Sequence, residues 1–282
     1  MKRKQTNLLL AAATVAGCSL LPTAHANLIA YEGFLTSEGN GTDFNDIGAT
    51  GSGFSNPDAS STNFRMDIED GLSYTDNFGN ALLVSGKSAG MEAFESGTQN
   101  LQLGLTSPIT NSGTVYMSFL MDITAVSSWG IQTGLTDGQV GDSSSPTGIL
   151  EAALRSTSTN YGLYSDGLLD ERTGLSTSTG LFFFVAEMNL DADTMTGYLN
   201  PGNLLDVANT STEMTGTLSG SFASMDSFVF SLGGDEAGTI DEIRIGTTMA
   251  DVTPVPEPGH LGLAFGLASL AFIATRRRFS RK

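Results

Sequence analysis

The sequence predicts an all-β sandwich held between an N-terminal signal peptide and a single C-terminal transmembrane helix. Three observations predict it. Apolar residues alternate with period two in several segments of the middle. Clusters of Gly, Ser, Thr, Asn and Asp, the residues of turns, separate those segments. Charge is segregated along the chain: of 13 Lys and Arg, three stand at the start and five at the end, while all 30 acids lie between Glu32 and Glu257.

Residues 1–26 read as an export signal. Lys2, Arg3 and Lys4 precede an apolar run from Leu8 to Gly17. Ala24-His25-Ala26 then gives the small-x-small pattern that a signal peptidase cuts, between Ala26 and Asn27. The run is about 10 residues, too short for the roughly 20 that a bilayer-spanning helix needs. A competing reading takes Val15-Ala16-Gly17-Cys18 as a bacterial lipobox, with Cys18 lipidated.

Residues 27–252 are expected to form one β-sandwich domain, a length within the range of a single all-β unit. In TVYMSFLMDI, Val115, Met117, Phe119, Met121 and Ile123 share one face, and Tyr116, Ser118, Leu120 and Asp122 the other. Phe182, Phe184, Ala186, Met188 and Leu190 line one face of LFFFVAEMNL. Leu101, Leu103 and Leu105 do the same in LQLGL, and Phe228, Phe230 and Leu232 in SFVFSL. Alternation of this kind marks strands with one face in a core. ILEAALR, at residues 149–155, lies between turn clusters and reads as a further strand.

Residues 253–282 read as a separate tail. Pro256-Glu257-Pro258 is followed by an uncharged run, residues 259–275, and then by Arg276, Arg277, Arg278, Arg281 and Lys282. As a helix the run would be about 25 Å long, enough to span with slight thinning of the bilayer. The basic end stops transfer and stays cytoplasmic, which leaves the body outside. The two prolines push Val255–Gly259 into extended backbone that an enzyme could grip.

Pro-Glu-Pro, a short apolar span and terminal arginines together resemble the PEP-CTERM sorting signal. That resemblance implies processing by a membrane-embedded exosortase-type enzyme in an exopolysaccharide-producing Gram-negative bacterium. Pro256, Glu257 and Pro258 would be its recognition elements. The ends of the body, LIAYEGF (28–34) and IDEIRIGTTMADVTP (240–254), resemble those of PEP-CTERM proteins with a concanavalin A/laminin G-like jelly roll. In that fold the first and last strands lie side by side. Relatives often carry Trp at the position of Met249.

Composition excludes much chemistry. The two His, His25 and His260, and the one Cys, Cys18, all fall in the terminal segments. Ser-His and Cys-His catalysis therefore lack their base in the body, and His or Cys zinc sites lack their ligands. With no cysteine pair there is no disulfide, and stability must come from packing. The five basic residues between the ends leave the middle about 25 charges negative, a surface that repels nucleic acid and anionic headgroups.

Two carboxylates would suffice for glycoside hydrolysis, but no Glu is followed two positions on by Asp, as a jelly-roll glucanase strand would require. SGKSAG (85–90) lacks the first glycine of a phosphate-binding loop and reads as a polar turn. Asp191 and Asp193 in LDADTMTGY lack the further ligands of a calcium loop and fit a hairpin turn. Trp129, Tyr161 and Tyr164 are the candidate glycan-stacking residues.

The expected function is that of an exported, non-enzymatic cell-surface or extracellular-matrix protein. It passes through the inner membrane, with signal peptidase and an exosortase-type enzyme as processing partners and no nucleic-acid partner. No cofactor is expected. The alternative is a lectin-like module binding extracellular polysaccharide, with calcium as its accessory ion. A polysaccharide-degrading enzyme ranks last.

Overall fold

Strand alternation in the sequence becomes two antiparallel sheets packed face to face. The computed structural model describes residues 27–58, 66–91, 98–125, 131–137, 150–156, 161–165, 168–170, 179–218, 224–233 and 236–255. In chain order the first strands are β1 (Leu28–Glu32), β2 (Phe54–Asp58), β3 (Met66–Asp70), β4 (Lys87–Met91), β5 (Thr98–Thr110), β6 (Thr114–Ala125) and β7 (Gln132–Thr136). There follow β8 (Leu150–Ser156), β9 (Tyr161–Ser165), β10 (Leu168–Asp170), β11 (Gly180–Asn189), β12 (Thr194–Leu199), β13 (Thr212–Thr217), β14 (Ser224–Gly233) and β15 (Ala237–Gly246). Single helical turns are α1 (Phe44–Ile47), α2 (Val207–Thr210) and α3 (Met249–Val252).

One sheet runs β13-β12-β11-β6-β15-β4-β3, with β1 also paired to β15; the other runs β10-β9-β8-β7-β14-β5-β2. Chain neighbours such as β5 and β6 lie in different sheets, so the connections cross between layers in the jelly-roll manner. The predicted core faces all point between the sheets. Leu101, Leu103, Phe119, Met121, Phe184, Met188, Phe228 and Phe230 are buried in one cluster. Phe119 opposes Phe184 across the β6–β11 pair, and its ring centroid lies 5.2 Å from Phe184 and 6.0 Å from Phe228 of the facing sheet. ILEAALR supplies β8, a strand as read from the sequence.

The first sheet is buried on its outer face as well. Leu120, Phe183, Val185 and Tyr198 point away from the sandwich core and pack with Leu82, Leu204, Val207 and Val252 in a second cluster. The cover is loop and single-turn helix: residues 72–84, 203–207 and 249–255. Tyr74 donates its hydroxyl proton to the Pro201 carbonyl at 2.7 Å, and its ring lies 5.1 Å from that of Phe183. The packed chain continues past Val252. Ser118 Oγ donates to the Val252 carbonyl at 2.7 Å, Leu83 N–H donates to Pro254 O at 2.8 Å, and Val255 packs on the second cluster.

Asp191 and Asp193 lie in the turn between β11 and β12, where Asp193 takes φ 53°. The hairpin reading of that segment matches its structure. Among the described residues no helix is long and apolar enough to cross a membrane. The signal peptide, the Pro-Glu-Pro motif and the apolar run 259–275 lie outside the described residues.

Candidate functional site

Glu242 and Arg244 stand two residues apart on β15, a spacing that places both on one face of a strand. β15 pairs with β6 along its length, but the register slips between Asp241 and Arg244. On one side of the slip, Gly238–Ile240 pair with β4. On the other, Ile243–Gly246 pair with β1. Glu242 sits at the break with φ 52°, the left-handed region that a residue with a Cβ enters at a cost. The break is a bulge that hands β15 from one neighbour to the other and turns two adjacent carboxylates inward.

The interactions of the Glu242 carboxylate repay that cost. It accepts the Ser85 N–H at 2.5 Å and pairs with the Arg244 guanidinium. The Tyr31 hydroxyl, 3.2 Å from both of its oxygens, donates to it and also touches the Ser85 hydroxyl. Arg244 donates to the Leu83 carbonyl at 2.6 Å, and its guanidinium carbon stands 4.6 Å over the Tyr31 ring. Glu242 is fully buried and Arg244 nearly so. Burial pushes the Tyr31 phenol up to about 12, with the Glu242 charge adding to the shift. One knot of side chains thus ties β1, β15 and the covering segment 83–85 together.

Asp241, the residue before the break, faces the same covering layer. Its oxygens accept the Leu72 N–H at 2.8 Å and the Glu242 N–H at 2.7 Å, and it stands at the wall of a cleft of about 280 Å³ lined by Gly71–Ser73 and Val84–Gly86. Its pKa is pushed up to about 8, first by burial and then, against its two backbone donors, by the charge of Glu242. Gly86, at φ 84°, closes the cleft's base; a Cβ there would lie 2.3 Å from the Gly33 carbonyl oxygen.

Two further buried carboxylates organise neighbouring loops. Glu32 accepts from Phe34 N–H, Thr50 N–H, Thr50 Oγ and Gly51 N–H at 2.7–2.9 Å. Asp76 accepts from Phe78 N–H, Asn80 N–H, Asn80 Nδ2 and Leu204 N–H, each at 2.8 Å. Burial alone would raise its pKa, but these donors outweigh burial and hold it below the ordinary range. Chemically, these carboxylates are spent on backbone N–H groups, on a few side-chain donors (Tyr31, Thr50 and Asn80) and on one guanidinium. They serve as joints.

Tyr161 and Tyr164, two of the three candidates for glycan stacking, do not share a face. Tyr161 is only 1% exposed, with its ring 5.2 Å from Phe182 in the sandwich core. Tyr164, three residues on, is half-buried on the opposite face of β9 beside Ala153 and Val229. Trp129 lies outside the described residues, as do Ala26, Pro256, Glu257, Pro258, Arg276, Arg277 and Arg278; Asn27 is the first residue described. Sequence reading paired the two stretches holding Tyr31 and Glu242 but missed Leu83, which acts through its carbonyl, and Ser85, which acts through its N–H and its hydroxyl.

No family model matches the chain, and no curated protein matches it. Among solved structures it is similar to lectin II from Ulex europaeus, at 11% identity and a TM-score of 0.41 over 65% of this chain and 91% of that one. Peanut lectin is similar at 12% and 0.43, over 65% and 89%. The globular domain of T. cruzi calreticulin is similar at 11% and 0.45, over 89% and 99%. A likeness at this level bears on no ligand or activity of this chain.

Arg244→Met will leave Glu242 buried without its partner and lower stability by about 3–5 kcal/mol. Adding Glu242→Gln, which keeps an acceptor for Ser85 N–H, will restore a large part of that loss; urea denaturation of the three proteins checks both. Asp241 gives a pH signature. A carboxyl whose folded pKa is raised stabilises fully below its unfolded value and loses that contribution as pH rises through the folded one, here about 8. Between pH 5 and pH 9, roughly spanning that window, the urea midpoint of Asp241→Asn should therefore rise relative to that of the wild type. Parallel curves would contradict the shift.

Proposed function

We propose that this chain is an exported, non-enzymatic cell-surface or extracellular-matrix protein whose tail is a PEP-CTERM sorting signal. Signal peptidase removes residues 1–26. The apolar run 259–275 then holds the body on the outer side of the inner membrane, and an exosortase-type enzyme processes the tail at Pro256-Glu257-Pro258. The protein thereby reaches the surface or matrix of an exopolysaccharide-producing Gram-negative cell. The observation that carries this reading is the order of three elements in the last 27 residues: the Pro-Glu-Pro motif, an uncharged span, and Arg276-Arg277-Arg278.

The fold is consistent with it in two respects. The body is closed on itself, with its first and last strands paired, so that no structural element has to come from the tail. Its buried carboxylates are committed to joints, and the body has no His or Cys to act as base or nucleophile, which supports a binding or structural part over a catalytic one.

Expression of Glu257→Ala, or of a chain lacking Arg276–Arg278, in the native host will leave full-length protein in the inner-membrane fraction. Immunoblots of fractionated cells read this directly. Processing and surface delivery equal to wild type would reduce the tail to an ordinary membrane span.

A further inference from the structure

We infer that the edge of the body around Leu83, with the loops bearing Phe78 and Leu205, rests on the bilayer to which the chain's own tail is tethered. This rests on the reading of residues 259–275 as a membrane helix. The exit of the chain is fixed to the body. A capping box between Thr248 and Asp251 starts α3, Thr253 Oγ donates to the Met249 carbonyl at 2.9 Å, and Leu83 N–H holds Pro254 O.

Only Pro256, Glu257 and Pro258 separate Val255 from the apolar run. Even fully extended, the steps from Val255 to Gly259 reach about 14 Å at roughly 3.5 Å each. The headgroup layer takes up about 5–7 Å of that distance. A domain of this size has a radius of gyration of about 17 Å, so the tether is too short for the opposite side of the body to turn toward the membrane. The surface beside Val255 is held within about 10 Å of the headgroups.

That surface carries the wrong side chains for water. The three most exposed large apolar residues among those described are Phe78 at 72%, Leu205 at 65% and Leu83 at 54%. Leu83 is bonded to the exit strand itself. Phe78 lies in the turn gathered by Asp76, and Leu205 follows Leu204, whose N–H is bonded to the same carboxylate. Asn77 N–H further ties the two loops through Gly202 O at 3.1 Å. Asp76 thus fastens the Phe78 and Leu205 turns to each other, and the Thr75–Ala81 bridge with the 2.9 Å bond from Leu82 N–H to Tyr74 O joins that loop system to Leu83 at the exit. Exposed apolar groups concentrated in this way mark a contact with something apolar.

Charge narrows the occupant. A body about 25 charges negative is repelled by anionic lipid and has no electrostatic route to a membrane from solution. A short tether supplies the missing association by raising the effective concentration. Contact is thus a property of the anchored protein, and it positions Pro256-Glu257-Pro258 in the headgroup layer, within reach of an enzyme embedded in the membrane.

The test is amide hydrogen exchange on the full chain in phosphatidylcholine nanodiscs. It is compared with the same chain carrying a flexible Gly/Ser linker of about 20 residues between Val255 and Pro256, which lowers the effective concentration. Exchange across residues 77–84 and 203–206 should be slower in the short-tethered protein by about threefold or more, and the linker should restore it. Phe78→Ser with Leu205→Ser should restore it without the linker. Equal exchange in the two tether lengths, with both proteins in the nanodisc, overturns the docking alone. Failure of the wild-type chain to enter nanodiscs overturns the membrane helix and the docking together.

Discussion

The fold depends on one buried ion pair at a break in one strand. β15 lies at the centre of the larger sheet, and it has to serve three neighbours: β6 throughout, β4 on one side of Glu242 and β1 on the other. The change of neighbour from β4 to β1 on one edge coincides with a register fault against β6 on the other, and Glu242 sits at that fault with φ 52°. Glu242 and Arg244 fill that place. Each neutralises the other where either alone would be an unpaired buried charge, and both reach outward, to Tyr31 of β1 and to the backbone of residues 83 and 85. Sheet closure and attachment of the outer layer are therefore one event.

The same device is repeated on a smaller scale. With no disulfide available in the body, long irregular segments are fastened by buried carboxylates that collect backbone N–H groups. Glu32 gathers the turn at Thr50 and Gly51, Asp76 joins the loops at Phe78 and Leu204, and Asp251 accepts from Thr247 and Thr248 at 2.9 and 2.8 Å. Charge-assisted bonds of this kind are stronger than neutral ones and fix loop geometry. In the proposed sorting role, a fixed exit point would be a functional property of the fold.

Much of the sandwich could be read in the sequence because each strand's inner face has its own apolar set. Val115 to Ile123 and Phe182 to Leu190 alternate cleanly, and the structure buries those faces. The second layer was not legible in that way. Leu120 was correctly placed on the outer face of β6, but its burial depends on residues 72–84 and 249–255, which have no periodicity to read. A sign was present in the unbroken run Phe182-Phe183-Phe184-Val185, since a strand apolar on both faces is covered on both. The joint was half legible. LIAYEGF and IDEIRIGTT were expected to lie together, and they do; the bonds that Leu83 and Ser85 make to the ion pair come from a carbonyl and an N–H, which no residue type announces. Tyr161 and Tyr164 were both candidates for stacking on a glycan, yet a separation of three residues on a strand puts them on opposite faces.

The proposed function sets a processing signal on either side of the body, which is described from Asn27 to Val255. The most direct test of that account is the intact mass of the protein recovered from the surface or matrix of its own cells. The account predicts a chain that starts at Asn27 and lacks the apolar run 259–275. A mass that retains the whole tail, or one that corresponds to a chain starting at lipid-modified Cys18, would contradict it.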